Sequence, residues 1–321
     1  MIKPSRFFQV TLFVAIIHGG AFAATPVLDP TLEHAVRNDF SAPAIVKPQD
    51  ILNRDISADV EKAAPSPGDN DLGDQVLLKR KPERDGPFRF SADTGLLYTN
   101  NATHQRHVHL SDWTWESTML IGAQWQVAKT TFLDFEYREQ IFRYAHYRSL
   151  NFEQGLATVT LMHIIPEWDN LVLLARYQYE RLTSGNFRHG IYGTHKLSAG
   201  VQKSFVMNRF SSVQLDAGAS FDLNSDPSLL RHHEFHIGAG YTHTFNSTMF
   251  ATVFYQGLYY KYLEWDRHDL TNMVGIGFTW QPKPWLSVNT TFTYAHNASN
   301  IRDLGFNAVN PGLIVSASCK F

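Results

Sequence analysis

The sequence predicts an all-β chain: a transmembrane, antiparallel, up-and-down β-barrel of about twelve strands, preceded by a mostly unstructured N-terminal segment. Three observations lead there. From residue 87 onward, runs of about ten to sixteen residues alternate apolar with polar side chains, a period of two that only a strand satisfies. The connections between these runs alternate between brief and long. The seven tryptophans fall at or near the ends of the runs, where amphipathic rings meet a membrane interface.

Residues 1–23 have the order of an export signal: Lys3 and Arg6, an apolar run from Phe7 to Ile17, then Ala21-Phe22-Ala23, with cleavage expected after Ala23. That run is too short to serve as a spanning helix, which needs roughly 20 apolar residues. Residues 24–86 hold seven of the fourteen prolines and a single aromatic, Phe40. Such a stretch cannot bury enough apolar surface to order itself. A flexible tether is expected, with a plug folded into the barrel as the alternative.

The barrel is expected over residues 87–321. Its first run sets Phe88, Phe90, Ala92, Thr94, Leu96 and Tyr98 against Arg89, Ser91, Asp93 and Gly95. The second sets Trp113, Trp115, Met119, Ile121, Ala123 and Trp125 against Thr114, Glu116, Thr118, Gly122, Gln124 and Gln126. The third opposes Leu133, Phe135, Tyr137 and Ile141 to Asp134, Glu136, Arg138 and Gln140. Further runs repeat the pattern around Tyr177, Leu215, Ile237, Ile276 and Val288. The last, Leu313 to Phe321, carries Leu313, Val315, Ala317 and Cys319 on one face and Ser316, Ser318 and Lys320 on the other. Around residues 156–164, 191–205 and 249–259 the faces are less clean, and Phe250, Phe254 and Tyr260 are candidates for the interior.

Brief turns are expected at Ala128-Lys129-Thr130, Pro166-Glu167-Trp168-Asp169, Met207-Asn208-Arg209, Phe245-Asn246-Ser247 and Gln281-Pro282-Lys283-Pro284. The intervening connections, around 100–110, 145–150, 184–190, 224–231, 264–269 and 298–310, are mostly longer and more polar. This asymmetry distinguishes the two membrane sides in such barrels. It puts Trp113, Trp115 and Trp265 at the outer interface and Trp125, Trp168, Trp280 and Trp285 at the inner one. Together with the terminal Phe321, these features make residues 87–321 resemble the bacterial outer-membrane β-barrel superfamily, porin-like in architecture, with no specific family identified. The resemblance implies a place in the bacterial outer membrane, surrounded by its lipid, with the tether in the periplasm.

Composition narrows the function. A formal net charge of −2 argues against a nucleic-acid partner, and the lone cysteine, Cys319, excludes a disulfide scaffold. The polar faces supply the candidate pore-lining set: Arg89, Asp93, Glu116, Asp134, Glu136, Arg138, Arg176, Glu180, Lys196, Asp216 and Glu234, joined by Asp222 and Lys320. Charges of both signs in a confined aqueous channel can select solutes; alternatively they pair across a narrow barrel and hold its interior together. Asp134-x-Glu136 shares one face with Arg138, so neutralisation is expected there rather than acid–base chemistry or metal binding.

Fifteen histidines are present, many at expected outer ends: His104, His107, His109, His146, His189, His232, His233, His268 and His296. His107-x-His109 could offer two imidazoles to a transition metal, but no Cys or fixed carboxylate completes a site, and solvated loop histidines are the default. His195, His243 and His296 fall on the outward face, as in lipid-modifying barrels. No nearby strand offers a partner Ser with a carboxylate or Asn, so no enzyme, catalytic residue, metal or cofactor is expected. Gly238-x-Gly240 and Gly275-x-Gly277 lack the context of a nucleotide loop and are read as relieving crowding inside the barrel. The expectation is a narrow channel for small polar solutes. The alternatives are a non-conducting structural or surface-interaction barrel and, behind it, a membrane-embedded lipid hydrolase. Solute specificity and oligomeric state are not encoded in these patterns.

Overall fold

The structure is a computed structural model that describes residues 86–104, 106–107, 109–187 and 189–321; the expected export signal, and all of the expected tether except Gly86, lie outside the described residues. Twelve strands follow in order: β1 Phe88–Thr99, β2 Asp112–Ala128, β3 Thr131–Tyr144, β4 Phe152–Ile165, β5 Leu171–Ser184, β6 Gly190–Asn208, β7 Ser211–Asp226, β8 His232–Asn246, β9 Met249–Tyr262, β10 His268–Lys283, β11 Leu286–Ser299 and β12 Phe306–Lys320. Each pairs antiparallel with its predecessor, and β1 pairs with β12 to close the cylinder. Closure leaves no open sheet edge, the condition a sheet must meet in hydrocarbon, where no water can satisfy backbone groups.

The seam is well defined. Its register runs from Arg89 opposite Lys320 to Leu97 opposite Gly312. Phe321 extends it by one step: its N–H donates to the Phe88 carbonyl at 3.1 Å, and the Phe88 N–H donates to the Phe321 carbonyl at 3.2 Å. The two rings stack at 6.1 Å between centroids.

Alternation decides the two faces. Outward positions such as Met119, Ile121, Phe135, Leu161, Leu173, Leu197, Leu215, Ile237, Val253, Ile276 and Phe292 are exposed. Their inward neighbours, among them Ser91, Thr118, Asp134, Thr160, Gln178, Lys196, Gln256, Thr293 and Asn310, are buried. Phe254 and Tyr260 do point inward, since both are buried on β9. Trp113, Trp115, Trp125, Trp168, Trp280 and Trp285 are exposed and form the expected girdles.

Three local readings are corrected. Strand β12 begins at Phe306, not near Leu313, and so runs through Pro311. The ladder to β1 stops at Gly312, so Pro311 is paired with β11 alone and its missing N–H interrupts little. Trp265 is not part of the outer girdle: it packs edge-on against Tyr262 at 5.8 Å, with the Arg267 guanidinium 5.2 Å from its ring. The brief turns after β6, β8 and β10 fall about two residues later than expected, because the strands continue to Asn208, Asn246 and Lys283 through register shifts at their ends.

The outer mouth is covered from within. Short 3-10 turns at Arg148–Leu150, Ser228–Leu230 and Arg302–Leu304 each bury a leucine. Leu150 and Leu230 join Ala102, Phe142, Tyr144, Phe152, Leu182 and Tyr192 in one apolar cluster, in which the Phe142 and Phe152 rings stack at 4.4 Å. The first outer loop contributes Asn101, Ala102 and His104, all fully buried.

Candidate functional site: the inner face of the barrel

All eleven residues expected to line the interior stand on the inward positions of their strands, as do Asp222 and Lys320. They do not form a level ring. One ladder row runs from Arg89 through Gly122, Glu136, Thr158, Gln178 and Lys196 to Asp222. A parallel row carries Asp134, Thr160, Arg176, Ser198, Ser220, Glu234, Tyr260 and Asp269. Arg89 is the second residue of β1, whereas Asp222 is the twelfth of β7. Because strands in a closed barrel tilt, a row perpendicular to them climbs the wall. Six of the eleven candidates, Arg89, Glu136, Lys196, Asp134, Arg176 and Glu234, therefore make a slanted stripe from the periplasmic end to the outer mouth, while Asp93, Glu116, Arg138, Glu180 and Asp216 stand on other rows.

Pairing within and between these rows is dense. Arg89 clamps two carboxylates: its Nη1 donates to Asp134 at 2.5 Å and its Nη2 to Glu136 at 2.8 Å. Arg138 reaches the other Glu136 oxygen at 2.6 Å. Asp134 and Glu136 are thus ion-paired with two arginines on one face of the wall. Higher up, Lys196 lies 3.6 Å from Glu180, which also accepts from the Gln154 amide at 2.7 Å. Arg176 donates through Nε to Thr160 at 3.1 Å. Glu116 accepts from Gln140 at 3.2 Å and from Thr118 at 3.3 Å.

Asp216 and His236 occupy each other's strand neighbourhoods. The Asp216 carboxylate fills the space a Cβ on Gly238 would need, and the His236 ring fills that of Gly218; the two side chains approach to 3.9 Å. Gly275 likewise makes room for Phe254, while Gly240 and Gly277 meet no comparable neighbour. Crowding thus explains one glycine of each pair.

The opposite wall differs. From β9 to β12 the inward positions are mainly Thr, Asn, Gln and apolar residues, including Phe254, Met273, Ala295 and Ala308. Asp269, paired with Arg267 at 2.7 Å, sits at its outer end.

Histidine placement departs from expectation at two sites. His104 and His232 are buried, not solvated: His104 packs edge-on against Phe306 at 5.2 Å, and the His232 Nδ1 lies 2.8 Å from the Leu230 carbonyl. His104 is carried inward by the first outer loop, whereas His232 opens β8 on an inward position opposite Tyr262. No cluster of three or more metal-ligating side chains occurs among the described residues. The outward histidines each find a partial partner set. Ser211 lies 3.1 Å from the His243 Nδ1, a Ser partner that alternation alone did not reveal, yet among the described residues no carboxylate or Asn hydrogen-bonds that imidazole. His296 has Asn307 at 2.7 Å, and His195 has the Tyr177 hydroxyl at 2.7 Å. None of the three sets combines nucleophile, base and orienting group.

A closed cylinder with an apolar, aromatic-girdled exterior and a charged interior is a transmembrane β-barrel of the outer-membrane type. No protein-family model matches the chain, and no curated protein matches it. Among solved structures the chain is similar in fold to an outer membrane channel from Pseudomonas putida F1, with a TM-score of 0.52 at 10% identity, covering 77% of this chain and 100% of that one. It also matches the translocator domain of the autotransporter NalP from Neisseria meningitidis, with a TM-score of 0.43 at 9% identity over 74% and 90% of the two chains. The NanC porin matches with a TM-score of 0.41 at 12% identity over 69% and 98%.

Proposed function

We propose that the barrel is a narrow channel for small polar solutes. The observation that carries this reading is the slanted stripe. An interior meant only as packing would not need charged groups at every level of the wall, because buried ion pairs add little net stability over apolar residues of the same volume. Twelve strands enclose less space than the 16–18 of the wide porins, which restricts passage to small molecules. The fold shared with the Pseudomonas putida outer membrane channel supports the same reading. Among the eleven candidates, seven are carboxylates and four are cations, so the pore is expected to favour cations modestly.

The apolar cluster at the outer mouth favours a second reading, a non-conducting barrel whose loops serve structure or contact. Planar-bilayer recordings separate the two. A channel gives discrete conductance steps, and R138E or R176E raises its preference for K+ over Cl− while the barrel stays folded. A well-folded protein that remains electrically silent over a wide voltage range, with and without the mouth substitutions described in the Discussion, rules the channel out.

A further inference from the structure

The interior changes character at its periplasmic end. Below the polar positions Asp134, Thr160 and Arg176, the next inward residues on β3, β4 and β5 are Phe132, Met162 and Leu174, followed by Ile164 and Val172. Register sets them side by side: Phe132 opposite Met162, Met162 opposite Leu174 and Ile164 opposite Val172. Phe132, Met162, Ile164 and Val172 are buried in one apolar cluster, with Leu174 packed against it. Inward residues elsewhere at the same end, such as Gln214, Thr242 and Thr252, are polar and only half-buried. A lining meant only for water has no use for such a patch, since apolar surface left wet costs about 25 cal/mol per Å².

The rim beside the cluster is acidic. The turn that joins β4 to β5 carries Glu167 and Asp169, both exposed. Asp169 is held by Lys203 at 3.1 Å, whereas Glu167 makes no ion pair among the described residues. Three other turns of this rim carry cations instead, Lys129, Arg209 and Lys283. An apolar patch edged by carboxylates fits a peptide in which an apolar run adjoins a basic one. The chain supplies one close by: Val76-Leu77-Leu78 is followed at once by Lys79-Arg80-Lys81, and Gly86 stands at the foot of β1. No other stretch of residues 24–86 joins three apolar residues to three basic ones. β4 lies three strands from β1, about 15 Å along the wall. The eight steps from Leu78 to Gly86 reach about 26 Å when extended.

We propose that residues 76–81 dock inside the periplasmic mouth as an intramolecular ligand of this cluster. Val76, Leu77 and Leu78 cover the lumen side of Phe132, Met162, Ile164 and Val172, and Lys79 to Lys81 lie along the rim toward Glu167. The patch is then shielded from the water of the lumen by the chain's own N-terminal side. The inner mouth is narrowed there, apart from the loops that cover the outer end. Of the two expectations for residues 24–86, docking within the barrel takes the place of a free tether.

The test uses the full chain assembled in a bacterial outer membrane, with Cys319→Ser to remove the native thiol and heat-modifiable gel mobility to confirm folding. A disulfide forms only where two Cα atoms come within about 7 Å. Leu77→Cys with Val172→Cys is expected to cross-link within one chain on oxidation. Leu77→Cys with Thr252→Cys, which faces the lumen from β9, four strands from β5, is expected not to. Adding K79E/R80E/K81E is expected to lower the cross-linked fraction about threefold, the effect of a few exposed ion pairs. Adding Glu167→Lys to that reversal is expected to restore part of it. A folded protein without the 77–172 cross-link, or with equal cross-linking to both walls, overturns the proposal. A cross-linked dimer in place of the intrachain product gives the docked segment to a second copy and overturns the intramolecular assignment. A yield unmoved by charge reversal overturns the part given to the rim. Because the readout is proximity and not conductance, its failure leaves the channel reading untouched.

Discussion

The Phe254 ring lies across Gly275 on the neighbouring strand, so close that a Cβ on Gly275 would stand 2.4 Å from the Phe254 Cζ. The inward face of β9 can hold an aromatic residue only because β10 offers no side chain there. Gly275→Val is therefore expected to destabilise the barrel by about 1–3 kcal/mol through overpacking. Adding Phe254→Ala should recover most of that loss. The check is the urea midpoint of detergent-folded protein for the single and double variants; equal midpoints for the two would mean the contact does not govern the site.

Arg89 is the hinge of the lower charge network, since Asp134 depends on it and Glu136 shares it with Arg138. Arg89→Met leaves a mostly buried carboxylate without its cation, a loss on the order of 3–5 kcal/mol. Adding Asp134→Asn removes the stranded charge and should restore part of the stability. Chemical unfolding of both variants measures the difference, and a double variant no more stable than R89M would contradict the assignment.

Much of this architecture is legible from residues alone, and the boundary is physical. Alternation assigns a face to Arg89 or Ile121 because a one-residue slip would turn every side chain to the wrong medium. Alternation carries no register between strands, so it lists Asp134, Arg176 and Lys196 as interior without revealing that they form a slanted stripe. Loops lack periodicity altogether. The burial of His104 and the packing of Trp265 depend on where the outer loops fold, which no local pattern encodes, whereas His232 shares the inward parity of Glu234 on β8. The start of β12 is hidden for a related reason: Pro311 is a poor strand residue by propensity, tolerated where β12 has lost one of its two partners. Ser211 escaped notice beside His243 because the two are neighbours only across a ladder.

Phe321 closes the seam through two backbone hydrogen bonds and a stacked ring. Its deletion is expected to cost about 1–3 kcal/mol. Phe321→Ala should cost less, because it keeps the backbone bonds. Heat-modifiable mobility and unfolding midpoints rank the two; a deletion no worse than the alanine variant would show that the terminal backbone pairing is idle.

Leu150 and Leu230 hold the outer loops against the aromatic residues of β3, β4 and β6. Replacing both with Ser weakens that cover, with a destabilisation of about 2–5 kcal/mol per site as the upper range for truncating a buried leucine. Larger or longer conductance steps in planar bilayers are the expected outcome. Steps identical to those of wild type would place the main constriction elsewhere.

A stripe that winds upward spreads its charges over many depths of the wall, so no single cross-section of the barrel carries the whole of the interior charge. Removing one member unbalances only its near neighbours on the adjoining strands and leaves the rest of the network standing.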